Sequence, residues 1–239
     1  MAGVSNSPVW IARQRRQLLA QRGHAWLLQG PSGLGQYALG LDLARAWLCD
    51  APTREGACGQ CASCHAIDVR AHLDLSVLMP ETVMLELGWP LSEKAQKDID
   101  DKARKPSKEI RVDAMRDAVE FAQRTSGRGR GKVVLVYPAE RMNHLTANAL
   151  LKTLEEPAGD VRFVLASESA HQLLPTIRSR CQGHTMTWPS AGNRDGSEVM
   201  KSRVSCRLPP PLKRMSRITC LRFALRRAES ESSRNFAID

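Results

Sequence analysis

An apolar run at Ala25–Gln29 leads straight into Gly30-Pro31-Ser32-Gly33-Leu34-Gly35, and from there into a segment that places Ala38, Leu41, Ala44 and Leu48 on one helical stripe. A buried strand, a glycine turn and an amphipathic helix, in that order, form the opening unit of a parallel sheet covered by helices. The chain keeps this alternation. Residues 75–79 read as a second strand, and a helix with Val112, Met115, Val119 and Ala122 on one side precedes a strand at 132–137. A further helix sets Ala147, Leu150, Leu151 and Leu154 on one stripe, is stopped by Pro157, and precedes an apolar strand at 161–166. The expected fold class is α/β, a parallel sheet with helices on its faces.

Two stretches interrupt the pattern. Residues 80–108, with Pro80, Pro90, Pro106 and a charged run at 93–105, read as a polar surface insertion, with or without a short helix, and no chemistry is assigned to it. Residues 190–239, with nine Arg, eight Ser and Pro209, Pro210 and Pro211 in a row, read as a basic, disordered tail. The globular part is then residues 1–189.

At 239 residues, 42% hydrophobic and 25% charged, the composition excludes a collagen-like or wholly disordered chain and suffices for a sizeable core. No apolar run approaches the roughly 18 residues that a membrane helix requires. Residues 1–16 lack the apolar block of a secretory signal, so the expected compartment is the cytoplasm. Of the net charge of +10, residues 190–239 supply +6, from 11 Lys/Arg against 5 Asp/Glu. The globular part is only mildly cationic, a weak pointer to nucleic acid.

The glycine turn has the spacing of the phosphate loop G-x-x-x-x-G-K-[ST], whose backbone N–H groups cradle phosphates while the lysine and hydroxyl serve the outer phosphates and magnesium. Gly30, Gly33 and Gly35 are present, but Gln36 stands at the lysine position and Tyr37 at the small-hydroxyl position. A neutral amide and a bulky phenol cannot stabilise phosphoryl transfer. A turn kept for packing and a weak nucleotide site both remain open; catalysis is not expected. The strand at 132–136 ends in Tyr137-Pro138-Ala139-Glu140, without the acidic pair of an NTPase. Glu140 reads as a helix-start or solvent-facing carboxylate.

Seven cysteines without an export signal argue against a disulfide framework. Cys58, Cys61 and Cys64 form C-x-x-C-x-x-C, and Cys49 lies nine positions earlier, at the end of the first helix; the other three are scattered. Two overlapping knuckles and a fourth thiolate suit a closed tetrahedral zinc site within a module at about 49–70. His65 is an alternative ligand, and a redox pair fits less well because a third cysteine follows at the same spacing. Near the end of the globular part, Ser179-Arg180-Cys181 follows a proline turn; Arg180 suits either a surface ion pair or a phosphate on a neighbouring molecule.

The glycine loop, the four cysteines, Asn148-Ala149-Leu150-Leu151-Lys152-Thr153-Leu154-Glu155-Glu156-Pro157, Phe163-Val164-Leu165-Ala166-Ser167 and Ser179-Arg180-Cys181 occur in a fixed order. Together they resemble the delta-prime family of bacterial DNA polymerase III clamp-loader subunits, of the AAA+ class, over about residues 8–188. The resemblance implies an AAA+ P-loop-type sheet, structural Zn2+ on Cys49, Cys58, Cys61 and Cys64, and a subunit that does not itself hydrolyse ATP. Its implied partners are the gamma/tau and delta subunits and, through the complex, the sliding clamp and primed DNA. ATP would be held only in neighbouring subunits, to which Arg180 reaches as an arginine finger. Ser167 falls near the sensor position of related ATPases but reads here as a strand-end hydroxyl. Arg128, Arg130, Lys132 and Lys152 suit either DNA in the ring channel or solvated surface charge.

Family members continue past the Ser-Arg-Cys motif with a helical lid and collar, and residues 190–239 lack the leucine periodicity of such helices. A shifted reading frame and a genuine disordered tail are the two readings, and ring assembly by this chain is in doubt. Two other functions are opposed by particular residues. An independent AAA+ ATPase is opposed by Gln36, Tyr37, Tyr137 and Pro138; a zinc-dependent nucleic-acid-binding module is opposed by Asp50, Glu55 and Asp68 around the cysteines.

Overall fold

A computed structural model describes residues 7–188; the expectation of a disordered or frame-shifted tail at 190–239 lies outside the described residues. Five strands, β1 (Ala25–Gln29), β2 (Leu75–Leu78), β3 (Lys132–Val136), β4 (Val161–Ser167) and β5 (Gln182–Thr185), form one sheet in the order β2-β3-β4-β1-β5. Every neighbouring pair is parallel. The helices are α1 (Val9–Leu19), α2 (Gln36–Leu48), α3 (Ala62–Asp68), α4 (Glu81–Leu87), α5 (Glu93–Asp100), α6 (Val112–Gln123), α7 (His144–Glu155) and α8 (Pro175–Arg178). None is long and apolar enough to cross a membrane.

The central strands are apolar on both faces because helices cover both. On one face Ala25, Leu27, Val134, Val136, Phe163 and Leu165 pack with Met115 and Ala118 of α6, Leu150 and Leu154 of α7 and Ile177 of α8. On the other, Trp26, Leu28, Leu135, Val164 and Ala166 meet Ile11 and Leu18 of α1 and Leu39 and Leu43 of α2. The alternation along β3 and β4 is the period of two that a strand imposes. Each fully buried large apolar side chain contributes roughly 1.5–3 kcal/mol. Gly40 lets α2 lie close on the sheet, since a Cβ there would stand 2.7 Å from Leu135 Cδ1.

The local signals explain the element ends. Gly35, at φ 88°, caps α2 in the left-handed region that favours glycine. Asn143 caps α7 by accepting from the Thr146 N–H at 2.9 Å, and Pro157 follows its end. β5 was not legible in the sequence. Among the described residues it is an edge strand, paired only with β1, and Gln182-Gly183-His184-Thr185 has no apolar face to bury.

The insertion at 80–108 is more ordered than its composition suggests. It forms α4 and α5, and the Glu81 carboxylate, 6% exposed, takes a bidentate pair from Arg104 at 2.6 and 2.9 Å and an N–H bond from Ser107 at 2.8 Å. Burial pushes the Glu81 carboxyl up, but Arg104 and the Ser107 N–H outweigh it and hold it below the usual range.

Candidate functional site

The turn after β1 lies at the carboxyl end of the sheet, where α/β folds bind ligands. Its chemistry is directed inward. Gln36 is 1% exposed, and its Nε2 donates to the carbonyls of Gly30 at 2.7 Å and Pro31 at 2.9 Å. The side chain at the lysine position is thus consumed in bracing the turn itself.

Beside it, phenols stand at the sequence positions where a phosphate loop carries its hydroxyl and the following strand its acid. The Tyr37 ring lies 5.4 Å from that of Tyr137. Trp89 Nε1 donates to Tyr37 Oη at 2.7 Å, and Tyr137 Oη donates to Glu168 Oε1 at 2.9 Å. Burial pushes both phenols up; for Tyr137 the nearby Glu168 carboxylate adds to the shift. Neither phenol offers an anionic oxygen to a cation near neutral pH. Trp89 comes from the insertion and is steadied by Arg70, whose guanidinium stands 5.7 Å from the indole and donates to Gly88 O at 2.6 Å. Nothing local in the sequence signals the Tyr37–Trp89 pairing.

Of the two readings of Glu140, the structure favours the helix-start carboxylate over the solvent-facing one. It sits in a short 3-10 turn, its Oε1 accepts from the Glu168 N–H at 3.2 Å, and its Oε2 is buried without a partner among the described residues. Ser167 is the strand-end hydroxyl expected: fully buried, with Oγ accepting from the Ser169 N–H at 3.2 Å.

The four cysteines converge. Cys49 caps the end of α2, Cys61 caps the start of α3, and Cys64 lies in its first turn. All four Sγ atoms lie within 4.8 Å of one another, with Cys49 Sγ 3.4, 3.7 and 3.8 Å from those of Cys58, Cys61 and Cys64. Four sulfurs at 2.3 Å from a tetrahedral zinc would be separated by about 3.8 Å, so the donor set fits that ion. His65 is not a member of the cluster. The N–H groups of Gln60 and Cys61 draw the Cys58 thiol down to about 6, as a ligand thiolate requires. Burial pushes Cys64 up to about 12 and raises Cys49. The cluster can hold a metal ion.

The basic residues considered for DNA are largely engaged elsewhere. Arg128 donates to Ser63 Oγ at 3.2 Å and lies 3.6 Å from Asp50 Oδ2, while Arg130 donates to the Asp50 carbonyl. Both arginines therefore tie the loop before β3 to the cysteine lobe. Lys132 is buried, 3.9 Å from Asp74 Oδ1 and 3.9 Å from the centre of the Phe121 ring. Lys152 is exposed on α7.

Arg180 follows α8, whose Ile177 is fully buried. Its Nε donates to Glu155 Oε1 at 2.6 Å, Nη2 donates to the same oxygen, and Nη1 donates to Thr176 O at 2.8 Å. Nothing local in the sequence links Glu155 to Arg180, 25 positions away.

The family model described as "DNA polymerase III, delta subunit" matches residues 11–188, and the similar curated proteins include delta-prime subunits. The chain belongs to the DNA polymerase III delta-prime family. A delta-prime subunit from Pseudomonas aeruginosa is 43% identical over 172 residues, covering 72% of this chain and 45% of that protein. One from Escherichia coli is 34% identical, covering 75% and 48%. The chain thus spans about half the length of these delta-prime relatives. The Escherichia coli DNA polymerase III tau subunit is 31% identical over 158 residues, covering 66% of this chain and 20% of that protein. A gamma subunit-related protein from Thermotoga maritima, 23% identical, shares the fold with a TM-score of 0.50, over 76% of this chain and 47% of that one.

Proposed function

We propose that this chain is a non-hydrolysing clamp-loader subunit that helps place the sliding clamp on primed DNA, in a ring with gamma/tau and delta. The observation that carries the reading is the engagement of Gln36 with Gly30 and Pro31. With an amide in place of the cation, and Tyr37 and Tyr137 where a metal and its carboxylate would stand, charge developing on a phosphoryl group would meet nothing to stabilise it. The contribution to ATP turnover is then made in trans. Arg180 reaches the ATP held by an adjacent subunit, where a fixed cation stabilises the transferred phosphoryl. Zn2+ on Cys49, Cys58, Cys61 and Cys64 is structural, since four thiolates leave no open position. The residues that shape the lobe are Asp50, which takes Ser63 Oγ at 2.8 Å, and Arg128 and Arg130.

Arg180→Ala in a reconstituted ring should lower DNA-stimulated ATP turnover, with the served site slowed by about 10³, while the variant keeps its melting temperature. Unchanged turnover in a ring shown to contain the variant refutes the finger role.

A further inference from the structure

Arg180 is held in a way that a simple surface ion pair does not require. A guanidinium has five N–H donors. Here Nε and Nη2 share the single oxygen Glu155 Oε1, and Nη1 reaches Thr176 O, which leaves one N–H on each terminal nitrogen without a partner among the described residues. Those N–H groups are charged donors that a phosphate can accept from. We infer that Glu155 is the positioning residue for Arg180, fixing the guanidinium by one edge so that the other meets the phosphate of an adjacent molecule already aligned. The inference rests on the reading of Arg180 as a cation supplied in trans.

Both side chains start from ordered backbone. The arginine's own N–H bonds to Ile177 O at 3.1 Å, behind a side chain sealed in the core. Glu155 is the last residue of α7 and is followed by Glu156, so two carboxylates crowd a helix end whose dipole disfavours negative charge. Arg180 offsets that. Folding stability does not account for the pair, because its side chains are 32% and 47% exposed and such pairs contribute little.

Rings are assembled from the full chain with gamma/tau and delta subunits, and DNA-stimulated ATP turnover is measured for wild type, Arg180→Ala, Glu155→Ala and Glu155→Gln. In Glu155→Ala, the share of kcat that depends on Arg180 should fall about tenfold, as expected for a misaligned group, with KM within twofold. Glu155→Gln should stay near wild type, since one carbonyl oxygen can accept both bonds. A Glu155→Ala ring as active as wild type, or more active, overturns the inference, as does a Glu155→Gln ring as poor as Glu155→Ala, which would make charge rather than alignment the cause. If Arg180→Ala is itself without effect, the finger reading falls and this inference with it. Independently of assembly, the Arg180 Nε–H of the chain alone, followed by 15N NMR, should exchange slowly with water in wild type and Glu155→Gln and rapidly in Glu155→Ala. Equal exchange in all three overturns the proposal.

Discussion

Asp74 shows how much a single buried carboxylate can organise. Only 1% exposed, it accepts N–H bonds from Gly127 at 2.8 Å and Arg128 at 3.0 Å and the Ser126 hydroxyl at 3.1 Å, with the Lys132 ammonium 3.9 Å away. Burial pushes its carboxyl up, but these donors outweigh burial and hold it below the usual carboxylate range. Its contribution is therefore complete above the unfolded value of about 4 and is lost as pH falls through the lower folded value. Asp74→Asn, which turns an NH2 toward donors, should cost about 3 kcal/mol in urea unfolding at pH 7, with the deficit shrinking on acidification below pH 4. An unaltered midpoint would contradict this. The sequence shows Asp74 only as an acid before a strand, and its partners lie 52 to 58 positions away.

The cysteine lobe has little regular structure before α3. Between Cys49 and Cys61 only a bridge from Thr53 to Gly56 gives it regular structure, and Thr53, Arg54 and Glu55 are exposed. Stripping metal from the purified chain should therefore release the lobe and leave the sheet, lowering the melting temperature by about 5–10 °C, equivalent to a loss of about 2–3 kcal/mol. Amide exchange should accelerate in residues 50–68 while β1, β3 and β4 stay protected. No metal in the purified chain, or a melt indifferent to the chelator, would remove the structural role. The cysteine spacing was legible because two-residue knuckles are local. The docking of Arg128 and Arg130 on Asp50 was not, because nothing in a glycine-arginine loop says which surface it will meet.

For the whole molecule, the sheet order brings the turn after β1, the end of β3 and the end of β4 to one edge, and there the insertion delivers Trp89. There Gln36 braces the Gly30 and Pro31 carbonyls, Tyr37 accepts from the Trp89 N–H, and Tyr137 donates to Glu168. Mg-ATP at 1 mM should accordingly leave the melting temperature within about 0.5 °C, whereas a ligand at a hundred times its Kd would stabilise by about 2.7 kcal/mol, or roughly 5–10 °C. A shift of several degrees would show that the edge still accepts a nucleotide.

The sequence by itself determined the alternating parallel architecture, the four thiols and the missing phosphate-loop lysine, because burial periodicity, knuckle spacing and loop chemistry are all written within a few residues. Tertiary structure alone decided that Trp89 caps Tyr37, that Arg104 serves Glu81 and that Glu155 grips Arg180. Such pairs join polar side chains from separate elements, and only the crossing of helices and strands brings them within hydrogen-bond reach.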